Sequence, residues 1–437
     1  MRLAIPAAHV FAVIALFAAA PALSAPLALD YFGHTLRGVD VGGDTAEARE
    51  YRAGIQSLIR GNMAAAKAHY EAAVKLAPNY APALIGLADI AQRANNMSQA
   101  KEYLQKAEQA APRSPAVHLA WGRYFMLGEQ FLQAEPALLK AHELEPKAIP
   151  PLLELGDLYL LSGRPSDGLV MFRQAVALDA KNKFAQYGFG SAAAASGQRD
   201  EALRAFTDAA ALAPQDAAPL RAIGLMYLEA GEFDKAIAAF DTGLVRQPKF
   251  IPLLLDRTDA LARLKRWDDA LVQVSQAEKL APKAADIKVK KADVYQGAAR
   301  WDEAEAQYLN AIKLDPTSAI AYNNLAWMTM TRKGNAQKAV EWARKAVALS
   351  PGSSPFRDTL GWVLRAAGDL PSAQASLLEA IKLEPNIADY HFHLGIIQAE
   401  LKKPTEARTS LRHALDLNPH LPEADEARRV LEKLPTT

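Results

Sequence analysis

Residues 217–250 read AAPLRAIGLMYLEAGEFDKAIAAFDTGLVRQPKF, and this 34-residue stretch is the unit from which the chain is built. Its positions 8, 15, 20 and 27 hold small residues, namely Gly224, Gly231, Ala236 and Gly243. Position 24 holds the bulky Phe240, and position 32 holds Pro248. Spacing of this kind is the first thing to look for elsewhere in a sequence, because a fixed period indicates a repeat architecture.

The same spacing recurs along most of the sequence. Prolines at position 32 follow one another every 34 residues, apart from one step of 35 and one of 68. These prolines are Pro78, Pro112, Pro146, Pro214, Pro248, Pro282, Pro316, Pro351, Pro385 and Pro419. The long step contains Ala180, where the surrounding residues still match the unit. Eleven units result, over residues 47–419.

The residue types explain how such a unit folds. A unit of this length fits two antiparallel helices of about four turns each, joined by tight turns. Small residues at positions 8 and 20 let the two helix axes approach closely, and a small position 27 admits the first helix of the next unit. Glycine at position 15 ends the first helix in a left-handed conformation, and the proline ends the second. The one added residue falls in the ninth unit, near residues 331–335, where we expect a turn to absorb it.

This pattern resembles the tetratricopeptide repeat family. The resemblance implies an all-α fold, a right-handed superhelical solenoid of about eleven 34-residue helix-turn-helix repeats with a C-terminal capping helix. It also implies that positions 2, 5, 9, 12 and 13 of each first helix point into a concave groove. Some family members grip the terminal carboxylate of a peptide with a lysine at position 5. No lysine occupies position 5 in this chain, so we expect no such clamp.

The amino terminus predicts export from the cytoplasm. Residues 1–25 contain Arg2, the apolar run VFAVIALFAAA and a cluster of small residues, which is the layout of a secretory signal peptide. Cleavage would leave a periplasmic protein without a membrane span, whereas an uncleaved segment would anchor the protein to the inner membrane. No other stretch reaches the roughly 20 apolar residues of a transmembrane helix.

Short segments flank the repeats, which we assign to residues 45–419. Residues 26–44 match no repeat and form either a flexible lead or a small docking strand. Asp44 and Glu47 predict a capping box before the first helix. Residues 420–437 carry an apolar stripe, which predicts a capping helix for the last repeat followed by a short tail.

Composition excludes several classes of function. The chain has no cysteine, so disulfides, zinc ribbons and thiol catalysis are excluded. Its 50 basic residues are offset by 49 acidic ones without a polybasic run, so we expect no nucleic-acid partner. Neither the histidine spacing nor any loop motif matches a catalytic or metal-binding pattern. We therefore expect no enzyme activity, no cofactor and no metal.

Position 9 of the first helices offers the best candidates for ligand contacts. The candidate groove-binding residues are Asp89, Arg123, Asp157, Asp259, Asp293, Trp327 and Trp362. The two tryptophans either stack on sugar rings, clamp an apolar peptide side chain, or fill space between helices. The aspartates either bind a basic peptide or are solvated, and we expect them to be solvated.

A narrower resemblance covers residues 321–395. The strings NNLAW (323–327), DTLGWVL (358–364) and YHFHLG (390–395) are similar to the tail of tetratricopeptide proteins from bacterial exopolysaccharide export systems of the PEP-CTERM type. Members of that type are often lipidated, and this chain has no cysteine to carry a lipid.

The sequence therefore predicts a non-enzymatic periplasmic scaffold. Its expected partners are proteins of cell-envelope export or assembly, including subunits of exopolysaccharide secretion. One alternative is a glycan-contacting module that guides polysaccharide along the groove through Trp327 and Trp362. Another is a general periplasmic adaptor or chaperone.

Overall fold

The structure, a computed structural model, describes residues 43–435. The predicted signal peptide of residues 1–25, most of the lead segment and the last two residues lie outside the described residues. The described part contains 23 α-helices and no strand. It therefore confirms the all-α fold class.

The helices alternate as the first and second members of hairpins. The first helices are α1 (Ala46–Ile59), α3 (Ala81–Arg93), α5 (Pro115–Leu127), α7 (Ile149–Leu161), α9 (Lys183–Ala195), α11 (Ala218–Glu229), α13 (Ile251–Arg263), α15 (Ala285–Gly297), α17 (Ala319–Met328), α19 (Ser354–Ala366) and α21 (Ala388–Glu400). The second helices are α2 (Met63–Leu76), α4 (Met97–Ala110), α6 (Phe131–Leu144), α8 (Pro165–Leu178), α10 (Arg199–Leu212), α12 (Phe233–Arg246), α14 (Trp267–Leu280), α16 (Trp301–Leu314), α18 (Ala336–Leu349), α20 (Leu370–Leu383) and α22 (Pro404–Leu417). A final helix, α23 (Ala424–Lys433), follows the eleventh hairpin.

The described chain divides into two compact units. The amino-terminal unit comprises residues 43–231 with residues 245–247, and the carboxy-terminal unit comprises residues 232–244 with residues 248–435. Within each unit, neighbouring first helices also pack on one another, as α3, α5, α7 and α9 do in turn in the amino-terminal unit. We call the surface that these first helices form the inner face of the unit.

A bulky side chain at position 24 of the second helix fills the space between helices. Phe172 on α8 is the clearest case, because its ring is almost completely buried. A Cβ atom added to Gly156 on α7 would lie 2.5 Å from this ring, and one added to Gly188 on α9 would lie 2.2 Å from it. The ring is therefore held between two glycines, one from its own repeat and one from the next, as the close-approach interpretation of position 8 predicts.

Left-handed residues separate the two helices of each hairpin. Glycine has a positive φ at position 15, for example 74° at Gly163 and 84° at Gly368. Repeats without glycine there use another residue in the same conformation, such as Asn95 or Ala299. The prediction that a left-handed residue ends the first helix is confirmed at the glycine positions. The other repeats adopt the same conformation although a side chain with a Cβ atom makes it sterically unfavourable.

The ninth repeat absorbs its added residue inside a helix. Thr329–Lys333 forms a π-helical turn that continues α17, and Gly334 follows in the left-handed region with a φ of 61°. A π-helical turn takes one more residue than an α-helical turn, so it lengthens the chain without moving the next helix. The expectation that the turn itself takes up the residue is wrong for this reason.

The first helix has an N-cap residue, and the last repeat is covered by an additional helix. Thr45 is the N-cap of α1, because its Oγ1 accepts a hydrogen bond from the Ala48 amide at 3.4 Å, so the capping box predicted with Asp44 is wrong. At the other end, α23 packs on α21 and α22. Val430 and Leu431 pack against the buried core of the last repeat, which confirms the predicted capping helix.

We expect Gly156→Ala to destabilise the amino-terminal unit. The new methyl group would overlap the trapped ring of Phe172, which costs about 1–3 kcal/mol in a packed core and exceeds the gain of up to about 1 kcal/mol from better helix propensity. Urea denaturation followed by circular dichroism measures the change.

Gly352→Ala is the matched control, because an added Cβ would meet no atom within 4 Å there. Adding Phe172→Leu to Gly156→Ala should recover part of the loss, since it removes the ring that the methyl group meets. An unchanged denaturation midpoint for Gly156→Ala would contradict the packing account.

Candidate functional site

Charged residues at position 9 of one first helix face position 6 of the next first helix. In the amino-terminal unit the Nε of Arg123 on α5 donates a hydrogen bond to Oε1 of Glu154 on α7 at 2.7 Å, and both side chains are buried. In the carboxy-terminal unit Nζ of Lys290 on α15 lies 2.7 Å from Oδ1 of Asp259 on α13. These inter-repeat pairs tie consecutive repeats together along the inner face.

Asp293 on α15 belongs to a buried network. Its Oδ1 accepts hydrogen bonds from the Tyr308 hydroxyl at 2.5 Å and from Nδ2 of Asn324 at 3.0 Å. Burial raises the pKa of Asp293 to about 6, although the hydrogen bond from Tyr308, the charge of Lys290 and the hydrogen bond from Asn324 act in the opposite direction. The expectation that the position 9 aspartates are solvated is wrong for Asp293, since it is buried.

Asp89 is buried as well, so the same expectation is wrong there. The next first helix offers it only Ala120 at position 6, and it pairs instead with Arg93 of its own helix, whose Nε lies 3.0 Å from Oδ2 of Asp89. Burial raises the pKa of Asp89, whereas Arg93 and Arg123 lower it. Asp89 therefore contributes to packing within the first repeats.

Trp362 on α19 is packed between neighbouring side chains. The ring of His393 on α21 lies 4.2 Å from the indole, centroid to centroid, with 30° between the planes. The guanidinium carbon of Arg365 lies 4.4 Å from the same ring, and Arg365 also pairs with Glu400. The stacking surface of Trp362 is therefore engaged by side chains of its own unit.

His393 connects the last two repeats. Its Nδ1 lies 2.6 Å from Oδ1 of Asp358, and the ring is buried. Burial disfavours the charged ring, but the carboxylate of Asp358, aided by Asp389 and Glu423, raises the pKa of His393 above its ordinary value. The contact between His393 and Asp358 therefore joins α19 to α21.

Trp327 on α17 is half-buried, and its backbone carbonyl accepts a hydrogen bond from the Thr331 hydroxyl at 2.9 Å in the π-helical turn. Within one turn of it, Asn323 is buried and its Oδ1 has no hydrogen-bond partner in the described part of the chain. The two tryptophans of position 9 thus have different surroundings.

Asp157 on α7 differs from the other charged candidates. Its side chain is exposed, and among the described residues it makes no hydrogen bond or ion pair. Desolvation by the surrounding protein, and then the negative charge of Glu154, raise the pKa of the Asp157 carboxyl. Because the side chain also contacts water, this shift is reduced by solvent screening. Position 6 of the next first helix is Gly188, so the usual partner is missing.

Apolar side chains lie on the helix of Asp157 and on the first helices at either side of it. Leu160 and Leu161 lie one turn along the same helix, and Leu161 is 49% exposed. Leu127, at the end of α5, is 56% exposed. Tyr187 on α9 is half-buried, and burial together with the charges of Asp216 and Asp157 raises the pKa of its phenol to about 12, against the opposing charge of Arg221. We call Leu127, Leu160, Leu161 and Tyr187 the inner strip.

The sequence reasoning missed the position 6 partners. Glu154, Lys290, Asn324 and His393 lie 31 residues after Arg123, Asp259, Asp293 and Trp362, respectively. A search for complementary side chains at that separation would have found three of these pairs, because the period and the helix register bring the two positions together. The position 9 residues were instead treated one at a time as groove-facing groups.

The described residues hold no cluster of metal-binding side chains. Over residues 43–435, no three histidine, aspartate or glutamate side chains are grouped so that they could hold a metal ion. None of the helices in that range combines the length and apolar character needed to cross a membrane.

We expect Tyr308→Phe to destabilise the carboxy-terminal unit more at pH 8 than at pH 5. The folded-state pKa of Asp293 is raised to about 6, so its favourable contribution is present at low pH and is lost as the pH rises through that value. Removing the hydroxyl leaves the ionised carboxylate short of a donor, at a cost of about 1.5–3 kcal/mol. Urea denaturation at the two pH values, followed by tryptophan fluorescence, measures both effects.

Tryptophan fluorescence reports mainly on this unit, because every tryptophan except Trp121 lies between residues 267 and 362. Asp293→Asn is the control, since an amide does not titrate. In that background Tyr308→Phe should cost the same at both pH values. An equal loss at pH 5 and pH 8 in the otherwise unchanged chain would contradict the assignment.

Sequence comparison identifies the repeats. Residues 187–249, 289–354 and 359–422 match a family model described as tetratricopeptide repeat, and residues 57–121 match a second model with the same description. Together these segments span more than half of the chain. Yeast Tom70 superposes with a TM-score of 0.53 at 14% identity, over 88% of this chain and 95% of that one, which is a likeness of fold.

Two relatives match shorter segments. Protein O-mannosyl-transferase TMTC3 of Homo sapiens is 30% identical over 99 residues, which are 22% of this chain and 11% of that protein. The TPR repeat-containing thioredoxin TTL4 of Arabidopsis thaliana is 33% identical over 82 residues, 19% of this chain and 12% of that protein. The matches thus span about a tenth of the length of these relatives. The matched segments and the eleven helical hairpins show that the chain belongs to the tetratricopeptide repeat family.

Proposed function

We propose that the protein is a non-enzymatic scaffold of the bacterial cell envelope, which holds segments of partner proteins on the inner face of its amino-terminal unit. Tetratricopeptide repeats indicate a scaffold for protein–protein interaction.

The exposure of the inner strip carries the proposal. Leu127 and Leu161 are 56% and 49% exposed, and both lie at position 13 of a first helix, which the family resemblance places in the groove. Apolar side chains of this kind gain free energy when a partner covers them. The position 9 side chains of the carboxy-terminal unit are instead engaged by their neighbours, as in the pairs Asp259–Lys290 and Trp362–His393.

The cellular setting rests on sequence. The pattern of residues 1–25 supports periplasmic placement, with anchoring to the inner membrane as the alternative. The strings within residues 321–395 support partners from exopolysaccharide secretion. A general periplasmic adaptor or chaperone uses the same surface for different partners.

A glycan-guiding role for Trp327 and Trp362 has weaker support. A sugar ring stacks on a free aromatic face, and His393 and Arg365 already lie against the ring of Trp362. Trp327 alone offers a single half-buried indole. The polar and charged candidates of the same face are mostly paired, which leaves few groups to hydrogen-bond a polysaccharide.

The test is a crosslinking pull-down of the full chain from its own host, read by mass spectrometry and compared with Leu161→Glu. A carboxylate in the inner strip should remove the partners that the unchanged chain recovers, because it places a charge against their apolar side chains. Leu132→Glu is the matched control, since Leu132 is 91% exposed on the second helix α6. It should leave recovery unchanged.

The outcomes separate the parts of the proposal. Polysaccharide synthase or export subunits that are lost in Leu161→Glu would support the exopolysaccharide role. Other envelope proteins with the same dependence would leave a general adaptor. Recovery that Leu161→Glu does not reduce would contradict binding through the inner strip.

A further inference from the structure

We infer that Asp157 binds a cationic side chain, lysine or arginine, of the partner segment, while apolar residues on either side of that cation lie on Leu160, Leu161 and Tyr187. The inference rests on the proposed function and adds the chemistry of the segment to it. Asp157 differs from every other charged residue at position 9 in having no partner side chain among the described residues.

Each other charged position 9 residue has a partner within the chain. Arg123 and Asp259 use the side chain at position 6 of the next first helix, at 2.7 Å in both cases. Asp293 uses Asn324 at the same position, at 3.0 Å. Asp89, which faces an alanine there, pairs with Arg93 one turn on in its own helix.

Asp157 has neither kind of partner. Position 6 of the next helix is Gly188, and the residues one turn on are Leu160 and Leu161. Helices α7 and α9 pack on each other, so the missing side chain would have come from Gly188. The carboxylate is therefore the one charged candidate that the described residues leave without a partner.

Packing keeps this position empty. A Cβ atom on Gly188 would lie 2.2 Å from Cε1 and 2.5 Å from Cδ1 of Phe172. Phe172 is buried between two glycines and cannot move aside without opening the core. The position 24 residue thus excludes the side chain that would otherwise pair with Asp157.

The local charge selects a cation. Glu154, one turn before Asp157, is paired with Arg123, so these two side chains offset each other. The exposed Asp157 then has no cation of the chain beside it, and a lysine or arginine of a partner would supply one and favour the ionised form of its carboxyl. A peptide carboxylate would be repelled. The site is therefore opposite in charge preference to the carboxylate clamp of other tetratricopeptide proteins.

The test measures binding of two capped peptides to the purified full chain by fluorescence polarisation. One peptide is Ser-Leu-Leu-Lys-Leu-Leu-Ser, and its twin carries norleucine in place of lysine, so only the ammonium group differs. We expect the unchanged chain to prefer the lysine peptide by about threefold to tenfold, and Asp157→Asn to abolish that preference. The preference should shrink as salt is raised, because an exposed ion pair is screened.

Asp208→Asn is the matched control, because it removes the same charge from the exposed surface of the second helix α10. It should keep the preference. Equal binding of both peptides by the unchanged chain, or a preference that survives in Asp157→Asn, would overturn the inference. Binding of both peptides that Leu161→Glu removes would still support the proposed function in that case, whereas failure of both peptides to bind would overturn the inference and the proposed function together.

Discussion

The structure depends on one packing constraint, which is that the bulky residue at position 24 must fit between two first helices. Phe172 shows it most clearly, since its ring lies where Cβ atoms of Gly156 and Gly188 would otherwise be. Small residues at positions 8 and 20 permit the approach within a hairpin, and Gly188 at position 6 permits it between this hairpin and the next. Repetition of this arrangement produces the stacked hairpins of each unit, because no single repeat buries its apolar face alone.

Packing around position 24 leaves room for a polar side chain at position 6 of several repeats. Glu154, Lys290 and His393 follow the smaller Leu138, Val274 and Leu377, and Asn324 follows the larger Tyr308. These side chains reach back to the preceding first helix and join the repeats. After Phe172, position 6 is Gly188, and Asp157 has no partner among the described residues. Packing around Phe172 thus leaves the Asp157 carboxyl available to a partner.

The helical hairpins could be predicted from the sequence, whereas the side-chain pairs between position 9 and position 6 of the next repeat were not. Small residues at a fixed period predict close helices directly, and glycine at position 15 predicts the left-handed turn, because both depend on local sterics. The placement of the extra residue in a π-helical turn was not predictable, since both a loop and a helix can absorb it. The buried network of Asp293 was missed because its partners Tyr308 and Asn324 lie on other helices and are brought together only by the fold. The partner of Asp89 is Arg93, four residues on in the same helix, and that spacing could have been read from the sequence.

The central claim is that partners bind the inner face of the amino-terminal unit. A photoreactive amino acid in place of Leu161, in the full chain within its native host, tests it most directly when the crosslinked peptides are sequenced. We expect crosslinks from position 161 to extended partner segments that carry a lysine or arginine among apolar residues, and none from position 132 on α6. Crosslinks from position 132 or from position 362 of the carboxy-terminal unit, with none from position 161, would contradict the account.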